Sequence, residues 1–172
     1  MQVFIIHTIR FVLFLFAQAL LLNQLEVGFG IHVMIYPLFI LLLPYNINIF
    51  LAMLISFALG MGIDSISNTY GLHASSALLL AYLRPTIFKM FEPRDGYENV
   101  QEFNMYEMNR SWLFSVFGIM LLVHHLWFFS LELFKFNEIG FILQKTILSV
   151  PFSMLACILI QLIFIRRPAS SR

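Results

Sequence analysis

Six long apolar stretches follow one another in this chain, at about 4–23, 28–43, 47–63, 73–90, 111–134 and 140–165, with one sizeable polar connection among them. Lipid accepts only backbone whose hydrogen bonds close within a helix or a barrel. Barrel strands alternate apolar and polar residues, whereas Phe11–Phe16, Leu38–Leu43 and Ala77–Leu83 are continuous apolar runs. The expected fold is therefore all-α: one integral membrane domain over 1–172, a compact bundle of about six transmembrane helices. Each spanning helix needs ~20 residues. The second stretch is divided by Pro37 and ended by Pro44, so it is expected to be short, kinked or only partly spanning. Pro44-Tyr45-Asn46-Ile47-Asn48 is turn chemistry and predicts a tight helical hairpin between stretches two and three.

Composition points the same way. The 172 residues are 60% hydrophobic and 11% charged, with 20 Phe, where a soluble domain carries about 25% charged residues. Membrane lipid must cover the excess. A net charge of +1 without a basic patch gives no reason to expect nucleic acid. The lone Cys157 has no partner for a disulfide or a CxxC pair, and reads as a small buried or lipid-facing residue. Arg10 before an apolar run, with Ala17-Gln18-Ala19 after it, imitates a cleavable leader. Leu20-Leu21-Leu22 keeps the stretch apolar beyond that point, so an uncleaved first helix is expected.

Basic residues set the orientation. With the N-terminus inside, Arg10, Arg84, Lys89, Arg94, Arg110, Arg166, Arg167 and Arg172 fall on the cytoplasmic side, and Lys135 and Lys145 outside. Eight against two predicts both termini in the cytoplasm and outer loops near 24–27, 64–72 and 135–139. The 91–110 connection then becomes a cytoplasmic loop with five acidic residues against two basic ones. Val100, Phe103 and Tyr106 recur there at three-residue spacing, as in a short helix lying on the membrane surface. Such a loop is either a docking surface for a cytoplasmic partner or a solvated connector.

Within the apolar stretches, Ala52, Ser56 and Gly60 recur four apart, with Ala58 and Gly62 on a neighbouring face. Small residues at that spacing let membrane helices approach closely. Ala74, Ala77 and Ala81 offer a matching surface on the fourth stretch, so these two helices are expected to form the structural centre. Ionisable residues inside a membrane are costly and face protein or an interface. Arg10, Arg84 and Glu132 lie near stretch ends and can snorkel. Asp64 closes the third stretch and reads either as a ligand, proton or partner contact, or as a carboxylate accepting backbone N–H bonds in Asp64-Ser65-Ile66-Ser67-Asn68. His124 and His125 point about 100° apart on a helix and do not readily share one ion; His7, His32 and His73 are scattered elsewhere. With no nucleophile elbow, phosphate loop or paired intramembrane carboxylates, no catalytic activity, cofactor or metal is expected.

From Gly60-Met61-Gly62-Ile63-Asp64-Ser65-Ile66-Ser67-Asn68-Thr69-Tyr70-Gly71-Leu72-His73-Ala74 through Ala81-Tyr82-Leu83-Arg84-Pro85 the chain resembles the MreD family of bacterial rod shape-determining membrane proteins. The shared pattern is Gly60, Asp64, Ser67, Gly71 and Ala74, followed by an alanine-rich helix. The resemblance implies a non-enzymatic scaffold of the cell-wall elongation machinery in the inner membrane. Its partners would be an MreC-like single-span protein, MreB filaments, and a RodA-type glycosyltransferase with its penicillin-binding transpeptidase. It also implies a fold distantly similar to the substrate-binding subunits of energy-coupling-factor vitamin transporters. A small-molecule transporter subunit is thus the rival reading, although Phe11–Ala19 lacks the alanine motif that such subunits resemble one another in.

Overall fold

The computed structural model describes residues 2–25, 28, 30–94, 96–97, 100, 103–134 and 138–165. Helix α1 covers Gln2–Phe16 and continues as a π-helical turn, Ala17–Leu22. It is followed by α2 (Tyr36–Leu41), α3 (Ile49–Ser67), α4 (Leu72–Met90), α5 (Arg110–Leu133) and α6 (Ile139–Phe164). Among the described residues the architecture is all-helical. Lys135 and the C-terminal Arg166, Arg167 and Arg172, used above for orientation, lie outside the described residues.

Four stretches, Phe4–Leu22, α3, α5 and α6, are long and apolar enough to cross a membrane, rather than the expected six. The two that fall short do so for different reasons. Helix α4 has 19 residues but carries His73, Ser75, Ser76, Arg84 and Lys89. It packs against α2, α3 and α5, so protein rather than lipid surrounds much of it and strict apolarity is not required. The second stretch is mostly not helix. Residues 31–35 are non-helical, and α2 has only six residues. Pro37 does not divide a helix there. It sits in the first turn of α2, where a missing N–H costs nothing. Nor do α2 and α3 form a hairpin: α2 packs on α1, α4 and α5. Every residue from Met34 to Leu43 is buried, and a segment apolar on all sides belongs inside a protein.

The helices form an open ring. α1 packs on α3, α3 on α4, α4 on α5 and α5 on α6, with α2 as the plug. On the remaining side α1 and α6 flank an apolar groove of about 240 Å³ floored by α2. The α3–α4 pair is the most extensive packing in the ring. Ala52, Ser56 and Gly60 of α3 and Ala74, Ala77 and Ala81 of α4 are all buried. A Cβ at Gly60 would lie 2.4 Å from Ala74 Cα and 2.6 Å from both Ala74 N and His73 O. Gly62 meets α1 instead, where a Cβ would lie 2.5 Å from Leu15 Cδ1. Pro85, the last residue of the family-like stretch, is exposed.

The 91–109 connection differs from a surface helix. Among its described residues, 103–108 form turns in which Asn104 Oδ1 accepts from Tyr106 N and Glu107 N, 2.9 and 3.1 Å. Tyr97 and Phe103 are buried with Phe88 and Trp112 in an aromatic layer, the Phe103 and Trp112 rings stacked at 5.2 Å. Tyr97 Oη donates to Phe88 O (2.8 Å) and accepts from Trp112 Nε1 (2.9 Å). Met105 N donates to Gln161 Oε1 of α6 at 2.9 Å. Aromatic burial and these bonds outweigh the helical spacing of Val100, Phe103 and Tyr106.

Candidate functional site: a buried polar core around a non-helical segment

Non-helical backbone inside an apolar bundle must find its hydrogen bonds from side chains. At 31–35 it does so on two sides. His32 N donates to Ser149 Oγ (3.0 Å) and Met34 N to Ser153 Oγ (2.9 Å), both on α6. Cys157, four further on, approaches the Met34 and Ile35 carbonyls at 4.0 and 3.9 Å. From the other side Gln18, in the π-helical turn of α1, accepts from Ile35 N through Oε1 (2.8 Å) and donates through Nε2 to Val33 O (3.1 Å). A π turn re-aims side chains within a helix, and here it accompanies a fully buried glutamine.

Gln18 also starts a chain of bonds whose direction can be derived. Ile35 N can only donate, which fixes Gln18 Oε1 toward it and Nε2 toward Asn23 Oδ1, 2.7 Å away. Asn23 Nδ2 is then a donor, to Ser67 Oγ (2.8 Å) and to His73 Nε2 (3.2 Å). His73 Nε2 must accept, so its proton sits on Nδ1 and is donated to Tyr36 Oη at 3.2 Å. The Tyr36 hydroxyl in turn donates to His124 Nε2. His124 therefore carries its proton on Nδ1, and that buried atom has no acceptor among the described residues. Six side chains, from the α1 stretch, the loop after it, α2, α3, α4 and α5, are thus held in one directed network. His125, the adjacent residue, turns elsewhere: its Nδ1 bonds Leu121 O (2.8 Å) and its Nε2 Ser153 Oγ (3.0 Å).

Asp64 supports this core from the end of α3. It does not bond backbone N–H groups of its own turn, as one reading of 64–68 expected. Its Oδ1 accepts from Thr69 Oγ1 and from His73 N (3.1 Å), and its Oδ2 accepts from Ala74 N (2.8 Å). The carboxylate therefore caps the first turn of α4, where unpaired N–H groups and the helix dipole favour negative charge. Gly71 makes this possible. Its φ of +89° turns the chain into α4, and glycine offers no side chain that could cap in its place. Ser67 adds the Asn23 bond noted above.

Arg84 turns inward instead of snorkelling. It is buried and donates to the carbonyls of Leu41 and Pro44, 3.4 Å each, and of Leu43. These are the carbonyls where α2 ends, which lack helical donors. The guanidinium also lies 4.6 Å from the Phe88 ring centroid. Asp64 and Arg84 thus brace α4 at its two ends. Glu132 of α5 pairs with the buried Lys145 of α6 at 2.6 Å.

Sequence reasoning missed Gln18, Asn23, Tyr36, Ser149 and Ser153. A signal existed on α6: Ser149, Ser153 and Cys157 recur four apart, the pattern that marked α3. Among the described residues no three His, Cys, Asp or Glu side chains gather as metal ligands. Comparison with known proteins adds no assignment: no family model, curated protein or solved structure matches this chain.

Proposed function

We propose that this chain is a non-enzymatic scaffold of the MreD kind in the cell-wall elongation machinery of a bacterial inner membrane. It would hold an MreC-like single-span protein, connecting MreB filaments to a RodA-type glycosyltransferase and its penicillin-binding transpeptidase. In this reading both termini and the 91–110 loop face the cytoplasm. One observation carries the proposal: the residues of the family-like pattern make a single internal brace. Gly60 and Ala74 allow α3 and α4 to touch, Asp64 caps α4, Ser67 accepts from Asn23 and Gly71 turns the chain. A motif engaged in holding helices together leaves the flanks of the bundle as its working surface. Those flanks are apolar, with Leu54, Phe57, Ile147 and Leu155 among their exposed residues.

A second reading, the substrate-binding subunit of a small-molecule transporter, draws on the non-helical segment at 31–35. Transporters interrupt helices where a solute is held, and residues 31–35 interrupt this bundle. Purification of the tagged full chain in mild detergent, followed by mass spectrometry of its companions, separates the two. Recovery of wall-synthesis proteins is the expected result. Recovery of ATPase subunits without them would replace the scaffold by the transporter.

A further inference from the structure

The groove between α1 and α6 has one charged residue among its lining residues. Its walls include Arg10 and Ala17 of the α1 stretch and Ile160 and Phe164 of α6, and its floor includes Leu38 and Leu42. The volume decides what it can take. A spanning helix about 10 Å across and ~30 Å long displaces on the order of 2,000 Å³, far more than the 240 Å³ of the groove. A methylene occupies about as much space as a water, ~30 Å³, so the groove suits roughly eight methylenes in a row. Seven helical residues separate Arg10 from Ala17, a rise of about 10 Å, which is close to the length of such a segment.

We propose that this groove is a binding site for an anionic phospholipid, with part of one acyl chain lying on α2 and the phosphate beside Arg10. Gln18 and Cys157 both reach Ile35, so Arg10, eight residues before Gln18, and Phe164, seven after Cys157, lie at similar depth, and the other lining residues are apolar. Arg10 already has an interaction within the chain, and its guanidinium carries five N–H donors. Lipid bound there would close the ring on the side where α1 and α6 lack a packed seam. The inference does not depend on the scaffold reading.

The test places the full chain in nanodiscs of equal phosphatidylglycerol and phosphatidylcholine, releases it into mild detergent and counts retained lipids by native mass spectrometry. Retention of phosphatidylglycerol over phosphatidylcholine by on the order of tenfold is expected, the worth of one charge-assisted contact. Arg10→Gln should level the two lipids and Arg10→Lys should keep the preference. Leu13→Trp, at an exposed position on the groove wall, should lower retention of both. Leu54→Trp, exposed on α3, should retain as much as wild type. Equal retention of the two lipids by wild type, an undiminished preference in Arg10→Gln, or no difference between the two Trp variants would overturn the site.

Discussion

Replacing Gly60 by Ala adds one carbon where two backbones meet. The new Cβ would sit 2.4 Å from Ala74 Cα and 2.6 Å from Ala74 N and His73 O, against a comfortable separation of about 3.5–4.0 Å between carbons. These are main-chain atoms and cannot swing aside, so α3 and α4 must part by about 1 Å. The same movement stretches the Asp64 bonds to Ala74 N and His73 N, now 2.8 and 3.1 Å, beyond useful length. Overpacking costs about 1–3 kcal/mol, and losing a helix cap adds ~1 kcal/mol. A loss of roughly 2–4 kcal/mol lowers the melting temperature of a chain this size by about 4–16 °C. Thermal unfolding of purified variants in one detergent, followed by size-exclusion profile, reads it. Gly118→Ala is the control, because its Cβ meets only the flexible Met154 Cε at 3.6 Å, and alanine favours a helix over glycine by about 0.5–1 kcal/mol. A Gly60→Ala protein melting with wild type, or below it by no more than Gly118→Ala, would refute the close-packed seam.

Three further outcomes follow from the polar core and the loop. Asp64→Asn keeps one acceptor oxygen and should cost about 1 kcal/mol, whereas Asp64→Ala removes every cap bond and should cost at least twice that; equal melting of the two would show that the oxygens are idle. Nitrogen NMR of labelled protein should find His73 and His124 neutral with the proton on Nδ1, and Tyr36→Phe should destabilise by about 1–3 kcal/mol by stranding His73 Nδ1–H; a proton on His73 Nε2 would break the derived direction. Burial holds the Tyr97 phenol above its ordinary ionisation range, against a smaller opposing effect of the Trp112 bond. A pKa raised by folding gives stability that is complete below the unfolded value and lost as pH rises through the folded one. Tyr97→Phe should therefore lessen the alkaline loss of stability, and an unchanged alkaline profile would contradict this.

The close pairing of α3 and α4 was legible in sequence because small residues at four-residue spacing have one strong use between membrane helices. Asp64 was legible only in part. Its residue type pointed to backbone N–H groups, but only the fold shows that they belong to α4. The second stretch misled because apolarity does not distinguish a surface covered by lipid from one covered by protein. Tyr36 through Leu43 look like half a span and are in fact the buried plug. Arg84 misled for a related reason: distance from a helix end says where a long side chain can reach, and carbonyls at and just beyond the end of α2 decide where it goes. Gln18 and Asn23 carry no pattern at all, since their partners lie in other elements of the chain.

Amide hydrogen exchange at Met34 and Ile35, measured in nanodiscs, tests most directly whether the bundle closes around a non-helical segment held by Ser153 and Gln18. Those two amides should exchange as slowly as the centre of α5, and Ser153→Ala should speed Met34 far more than Ile35. Exchange as fast as that of the exposed Tyr70 would contradict the account.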